Sequence, residues 1–223
     1  MTRQPIYLLS TGTLPDQLVT AISKAGITLD VVTFIDIEYV DIKNLIPGTA
    51  VFTSVNAVVA VKRWLSTPPP NLRIYCIGGA THQAVVEAFG EKAVVGKAGS
   101  AGELAKLICA RETGDKKKIV FFCGDQRREE LPSLGLTEKI VYRTVHTPHR
   151  IQREYDGIAF FSPSAVESFF SVNVIPAAIP LFAIGPTTAA AIRAACPNPV
   201  ITGGEPDKAM LVHQMTDYLV NKR

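Results

Sequence analysis

Phe52-Thr53-Ser54-Val55-Asn56-Ala57-Val58 returns 108 positions later as Phe160-Phe161-Ser162-Pro163-Ser164-Ala165-Val166. Ile77-Gly78-Gly79-Ala80-Thr81 returns as Ile184-Gly185-Pro186-Thr187-Thr188 at a spacing of 107, and Gly96 and Leu104 return as Gly203 and Leu211 at the same 107. Near-constant spacing over several segments marks an internal repeat. Earlier pieces pair more loosely, the Ile6 run with the Ile119 run and the Val31 run with the Ile140 run. Each half then carries about five strands, and two similar α/β lobes fit such a chain better than one sheet. A two-lobed protein has a cleft, and clefts between lobes are common ligand sites. The plainer alternative is a duplicated scaffold whose second copy only stabilises the first. The repeated parts are turns and not core, which favours a ligand.

Outward from the repeat, short apolar runs alternate with stretches at helical spacing. The runs are 6–10, 31–34, 50–53, 73–77, 93–96, 119–123, 139–145, 157–161, 181–184 and 199–202. They are rich in Val, Ile, Phe and Tyr, as strands buried on both faces should be. Helical spacing predicts helices over 15–25, 56–65, 81–89, 102–111, 164–172, 187–195 and 206–219. Strand–helix alternation with short connections predicts an α/β fold of two parallel-sheet lobes. Breaks are expected at Pro68-Pro69-Pro70, at Lys116-Lys117-Lys118 and over 148–154, and the lysine run reads as a solvated turn.

The chain has 223 residues, 47% of them hydrophobic and 19% charged, with a mean hydropathy of +0.20. A disordered chain would be far less apolar. Lys and Arg exceed Asp and Glu by 23 to 20, a formal charge of +3. That excess suits an anionic small molecule and is too small to point to nucleic acid. No run reaches the ~18 apolar residues of a membrane span, and the first residues do not read as a signal peptide. Cys76, Cys109, Cys123 and Cys196 are scattered, without a metal-ligand spacing. They read as buried thiols of a cytoplasmic protein, with no metal site expected.

Each repeated segment sits where a strand ends and a helix begins. Ser54 or Asn56, Ser162 or Ser164, and Thr81 and Thr188 are N-cap residue types. A helix start offers unpaired N–H groups and the positive end of the helix dipole, which suit carboxylate or phosphate. For any single turn ordinary capping is the better explanation; recurrence in both halves favours a ligand, and four such turns around one cleft would hold a polyanion. Phosphate-loop, dinucleotide, HExxH, GxSxG and kinase motifs are absent. His82, His146, His149 and His213 form no cluster, and His82 in a helix-start turn reads either as a site residue or as a surface histidine. Arg127 and Arg128 follow a strand, where they could face an anion or pair with Glu130 and its neighbours.

At these turns the sequence resembles the uroporphyrinogen-III synthase family. The resemblance rests on the two repeated pairs quoted above, with Ala183 and Ala189 flanking the last, on Phe121-Phe122-Cys123-Gly124-Asp125-Gln126-Arg127-Arg128, and on Ile140-Val141-Tyr142-Arg143-Thr144. It departs from the family after the first strand, where many members carry Arg-Pro and this chain has Ser10-Thr11-Gly12. The resemblance implies two flavodoxin-like lobes exchanged between the halves, residues 1–36 with 150–223 and residues 37–149 alone. Extended connectors near Ile35–Val40 and Arg143–Arg150 would join them around a central cleft.

The implied reaction closes hydroxymethylbilane, a linear tetrapyrrole with eight carboxylates, to uroporphyrinogen III with loss of water and inversion of ring D, and needs no cofactor. Holding one substrate conformation is then the main task. By resemblance Tyr142 is the proton or hydrogen-bond donor to the leaving hydroxyl. From sequence alone it reads instead as a strand tyrosine that packs its ring and solvates its hydroxyl. Ser54, Asn56, Thr81, Ser162, Ser164, Ala165, Gly185, Thr187 and Thr188 are the implied substrate contacts. A monomer is expected. The alternative from a different class is a two-lobed binding or sensor protein that holds a carboxylated small molecule and releases it unchanged.

Overall fold

Leu8 and Leu9 are consecutive and both fully buried; in a strand, neighbours point to opposite faces, so the sheet that holds them is covered on both sides. The computed structural model of the chain describes residues 4–42, 48–65, 67–126, 131–203 and 207–221. It divides into two compact units, one from the residues up to Asp36 and from Val145 onward, the other from Ile37–Thr144.

The first unit contains β1 (Ile6–Ser10), α1 (Asp16–Lys24), β2 (Ile27–Val31), β9 (Gly157–Phe160), α5 (Pro163–Phe170), β10 (Leu181–Ala183), α6 (Pro186–Ala195), β11 (Val200–Thr202) and α7 (Lys208–Asn221). Its five strands lie in the order β11-β10-β9-β1-β2 and pair in parallel throughout. Leu9, Ile158 and Phe160 pack with α5 and α6 on one face. Leu8, Ala159 and Phe182 pack with α1 and α7 on the other.

The second unit contains β4 (Thr49–Phe52), α2 (Val55–Trp64), β5 (Arg73–Ile77), α3 (Ala80–Phe89), β6 (Val94–Ala98), α4 (Ala101–Arg111), β7 (Ile119–Gly124) and β8 (Thr137–His146). Its sheet runs β3-β8-β7-β4-β5-β6, where β3 is Ile35–Tyr39. The pairs from β8 to β6 are all parallel. Phe52, Ile74 and Phe122 face α2 and α3, while Val51, Tyr75 and Phe121 face α4. The chain is therefore an α/β protein of two parallel-dominated sheets.

The repeat is visible in the strand order. Read across the sheet, β2-β1-β9-β10-β11 corresponds to β8-β7-β4-β5-β6. The neighbours are the same, but in the second unit the pair β7–β8 follows β4–β6 along the chain, a circular permutation of the first. In each sheet the direction of winding reverses once, between β1 and β9 and between β7 and β4. Ligands of open parallel sheets bind outside the carboxyl ends of the strands at such a reversal.

Two expectations need correction. The second strand is Ile27–Val31 and not 31–34. It is an edge strand in which only Ile27 is buried, so it lacks the continuous apolar run that marked the others; Gly26, at φ 77°, turns the chain into it from α1. The four cysteines are not all buried: Cys109 is exposed, and the Lys116 Nζ donates to its Sγ at 3.3 Å. The lysine run forms a 3-10 turn, Lys116–Lys118.

Two tyrosines tie loops to these sheets through carboxylates. Tyr75 Oη donates to Glu112 Oε1 at 2.5 Å, and Tyr155 Oη donates to Asp30 Oδ2 at 2.9 Å. Burial, followed by these carboxylates, pushes both phenols up to about 12. An unfolded tyrosine ionises near about 10. Above that pH the unfolded state has lost protons that the folded state keeps, so stability falls as pH rises towards about 12. Phenolate absorbance should show late steps for these two residues. Tyr75→Phe should remove one step and flatten the alkaline loss of stability measured by denaturant melts. An alkaline stability profile unchanged by that substitution counts against the Tyr75–Glu112 bond.

Candidate active site

The carboxyl ends of the strands carry the turns that the repeat singled out. In the second unit, Ser54 is extended and caps α2, its Oγ accepting from the Asn56 N–H at 3.1 Å. In the first unit, Ser162 caps α5 in the same way, accepting from the Ala165 N–H at 3.1 Å. Sequence left Ser54 or Asn56, and Ser162 or Ser164, open as caps; the earlier serine serves in both units. Asn56 supplies its backbone N–H, and Ser164 is buried inside the helix.

The second pair of helix starts is built differently. Gly79 caps α3 and Gly185 caps α6, neither with a side-chain hydrogen bond. Gly79 sits at φ 67°, a conformation that favours glycine. Thr81 and Thr188 were expected as caps, but both lie within their helices, 5% and 1% exposed. Their hydroxyls therefore do not occupy the first N–H groups, and those amides keep the partial positive charge of a helix start. Thr187 is exposed beside the start of α6. At α4, by contrast, Ser100 Oγ accepts from Glu103 N–H and Glu103 accepts from Gly99 N–H. This arrangement, a capping box shifted back by one residue, places the Glu103 carboxylate at that helix start, where it disfavours a second anion.

Tyr142 stands on β8, two strands away from Ser54, and reaches it across β7. Its Oη donates to Ser54 Oγ at 3.1 Å. The path is open because Gly124 lies beneath the ring: a Cβ there would fall 2.5 Å from Tyr142 Cζ. The β7–β8 register shifts between Cys123 and Gly124, placing Gly124 opposite Tyr142. Asp125 fixes the segment from the other side, donating its N–H to the Tyr142 carbonyl at 3.2 Å and accepting from Thr144 N–H at 3.1 Å. Burial raises the Tyr142 pKa, with smaller upward contributions from Cys123 and Asp125, while the Ser54 bond acts to lower it. The side chain is a neutral phenol at physiological pH, held by a strand on one side and a helix cap on the other.

At the corresponding end of β1, the Ser10-Thr11-Gly12 turn is occupied internally. Ser10 Oγ donates to the Gly12 carbonyl at 2.6 Å, and Thr11 Oγ1 donates to the Ala159 carbonyl at 2.8 Å. His82 lies 3.7 Å from Glu91. Arg127 and Arg128 lie outside the described residues. Among the described residues no group of three or more His, Cys, Asp or Glu side chains is gathered as for a metal ion, and no helix is long and apolar enough to cross a membrane.

The family model described as Uroporphyrinogen-III synthase HemD matches residues 16–213. The chain belongs to the uroporphyrinogen-III synthase family. Its members are cyclising lyases of haem biosynthesis, and the family implies a tetrapyrrole substrate. The fold is similar to the crystal structure of the uroporphyrinogen-III synthetase from Helicobacter pylori, with a TM-score of 0.70 and 13% identity over 96% of this chain and 99% of that one. It is also similar to a mutant uroporphyrinogen III synthase from the extremely thermophilic bacterium Thermus thermophilus, with a TM-score of 0.64 and 16% identity over 98% of this chain and 100% of that one. No curated protein matches the chain in sequence. Nothing in the family or in these folds favours a binding protein without chemistry.

Gly124, Asp125 and the capping box of α4 were not singled out in the sequence as site features. A signal for Gly124 was present: a glycine closing the apolar run Ile119–Cys123 marks close approach by another group.

Proposed function

We propose that this uroporphyrinogen-III synthase acts on hydroxymethylbilane with Tyr142 as the donor to the leaving hydroxyl. The observation that carries the reading is the 3.1 Å bond from Tyr142 Oη to Ser54 Oγ at the winding reversal of the second sheet. The phenol gives its proton, or a hydrogen bond, to the hydroxyl on the methylene of ring A. That C–O bond breaks, water leaves, and an azafulvene remains. The exposed carbon bonds to the substituted position of ring D, the spiro intermediate breaks at its other bond and recloses, and loss of a ring proton restores the pyrrole. A raised pKa keeps the phenol protonated at the start of this sequence.

The remaining groups position the substrate. Amides at the uncapped starts of α3 and α6, with Gly185, Thr187 and the neighbourhood of Thr81 and Thr188, suit its carboxylates. Ser54 and Ser162 contribute hydroxyls beside α2 and α5, held in place by the Asn56 and Ala165 N–H groups, and Ser164 lies beside them in α5. In this reading the phenol turns its one proton from Ser54 Oγ to the leaving hydroxyl when substrate binds, and the Ser54 hydroxyl then donates to the phenol oxygen and orients it. The protein works as a cytoplasmic monomer; among the described residues the exposed large apolar side chains, Val31, Val55, Ile140, Val174, Met210 and Val220, are spread over five separate parts of the chain, with only Met210 and Val220 sharing an element, α7.

The test is to give purified protein fresh hydroxymethylbilane, oxidise the porphyrinogens and separate the isomers. Isomer III in excess over a protein-free control that yields isomer I supports the reading. Isomer I alone, at the control rate, from folded protein overturns it.

A further inference from the structure

One cation stands at the carboxyl end of the first unit's sheet. Lys208 opens α7, and its Nζ donates to the Thr13 carbonyl, in the loop after β1, at 2.8 Å. The same ammonium lies 5.5 Å from the centre of the Phe161 ring, in the turn after β9. Thr13 and Phe161 thus bring it to the two strands between which the winding reverses. Phe161 is itself seated over Gly12, where a Cβ would fall 3.0 Å from its Cδ2. Lys208 is in none of the ion pairs formed among the described residues. Through the 107-residue repeat, position 208 corresponds to Ala101, so the shared fold does not require a cation there.

We propose that Lys208 is a positioning residue that binds one carboxylate of the substrate at the winding reversal of the first unit. The proposal rests on the synthase reading for the identity of that carboxylate. The contact to Thr13 uses one ammonium N–H and leaves two for an anion. Phe161 and the loop strip water from the ammonium, which lowers its pKa, and a carboxylate would compensate for that loss. The ammonium is already held by the Thr13 carbonyl and the Phe161 ring, so little freedom is lost when the anion arrives.

Lys208→Met keeps the stem and removes the charge. For the wild type, KM for hydroxymethylbilane should rise with ionic strength, because the attraction is screened. In Lys208→Met, KM should be about tenfold higher at low salt, with kcat within about twofold and a shallower salt dependence, and Lys208→Arg should recover most of the loss. Binding of a porphyrin octacarboxylate, followed by fluorescence, should weaken in parallel without any turnover. A lysine that merely pins the Thr13 loop would change the melting temperature and leave KM, its salt dependence and porphyrin binding unchanged; that result overturns the proposal. Failure of the wild type to form isomer III would instead remove the synthase reading, while weaker porphyrin binding by Lys208→Met would still support the anion site.

Discussion

Tyr142→Phe should lower kcat for isomer III by about a hundredfold, in the range of general acid catalysis, and leave the protein folded. The substitution removes one hydroxyl and keeps the ring over Gly124. Ser54 loses a donor but still accepts from Asn56 N–H, so the cap of α2 survives. A half-buried neutral hydrogen bond contributes about 1 kcal/mol to stability, and for a chain of this length that shifts the melting temperature by about 2–4 °C. The two effects therefore separate cleanly. Gly124→Ala supplies the converse arm: it retains the hydroxyl but puts a methyl group where the ring lies, 2.5 Å from Cζ. The ring must swing away from Ser54, and kcat should fall although every polar group is present. Steady-state rates with isomer analysis read both variants. Unchanged turnover in Tyr142→Phe would remove the phenol from the mechanism.

The largest loss of stability is expected from Phe52→Ala, at about 3–5 kcal/mol. Phe52 is fully buried on β4 and lies between two near-parallel rings, Phe89 at 5.9 Å and Phe122 at 5.5 Å. Removing it leaves a void bounded by a strand on one side and a helix on the other, neither of which closes up easily. Phe52→Leu fills most of that volume and should cost less than half as much. Urea denaturation gives both numbers; a cost under about 1 kcal/mol for the alanine variant would mean that the stack collapses on itself. Two positions beyond Phe52 stands Ser54, so the aromatic stack is also the base on which the Tyr142–Ser54 bond is set.

What made the architecture readable was two-sided burial. Leu8-Leu9, Val51-Phe52 and Phe121-Phe122 are each split between opposite faces, so the strands appear as unbroken apolar runs flanked by turns. Ile27–Val31 lacks that pattern because it is an edge, and the reading slid along the chain to Val31-Val32-Thr33-Phe34, where Phe34 is buried but outside the strand. The serine caps at Ser54 and Ser162 were visible as residue types. The caps at Gly79 and Gly185 were passed over in favour of threonines, since a glycine cap has no side chain to announce it. Tyr142 came from resemblance to a family; its partner did not, because Ser54 lies 88 positions away and the contact depends on a glycine between two strands. Lys208 was unreadable for the same reason, its carbonyl partner being 195 positions distant.

The way one unit interrupts the other has a bearing on synthesis at the ribosome. Leu8 and Leu9 emerge with β1 and β2, but the strand that covers the remaining side of β1 is β9, which begins at Gly157. At about 5–20 residues per second, that neighbour arrives roughly 7–30 s later. During this delay β4 to β8 are completed, and the second sheet has all its strands while the first has two. A nascent chain of this protein therefore carries an unpaired, strongly apolar strand at a time when its other sheet is already finished. The waiting time, more than the final stability, sets the period in which its folding is most exposed to aggregation and most open to chaperones.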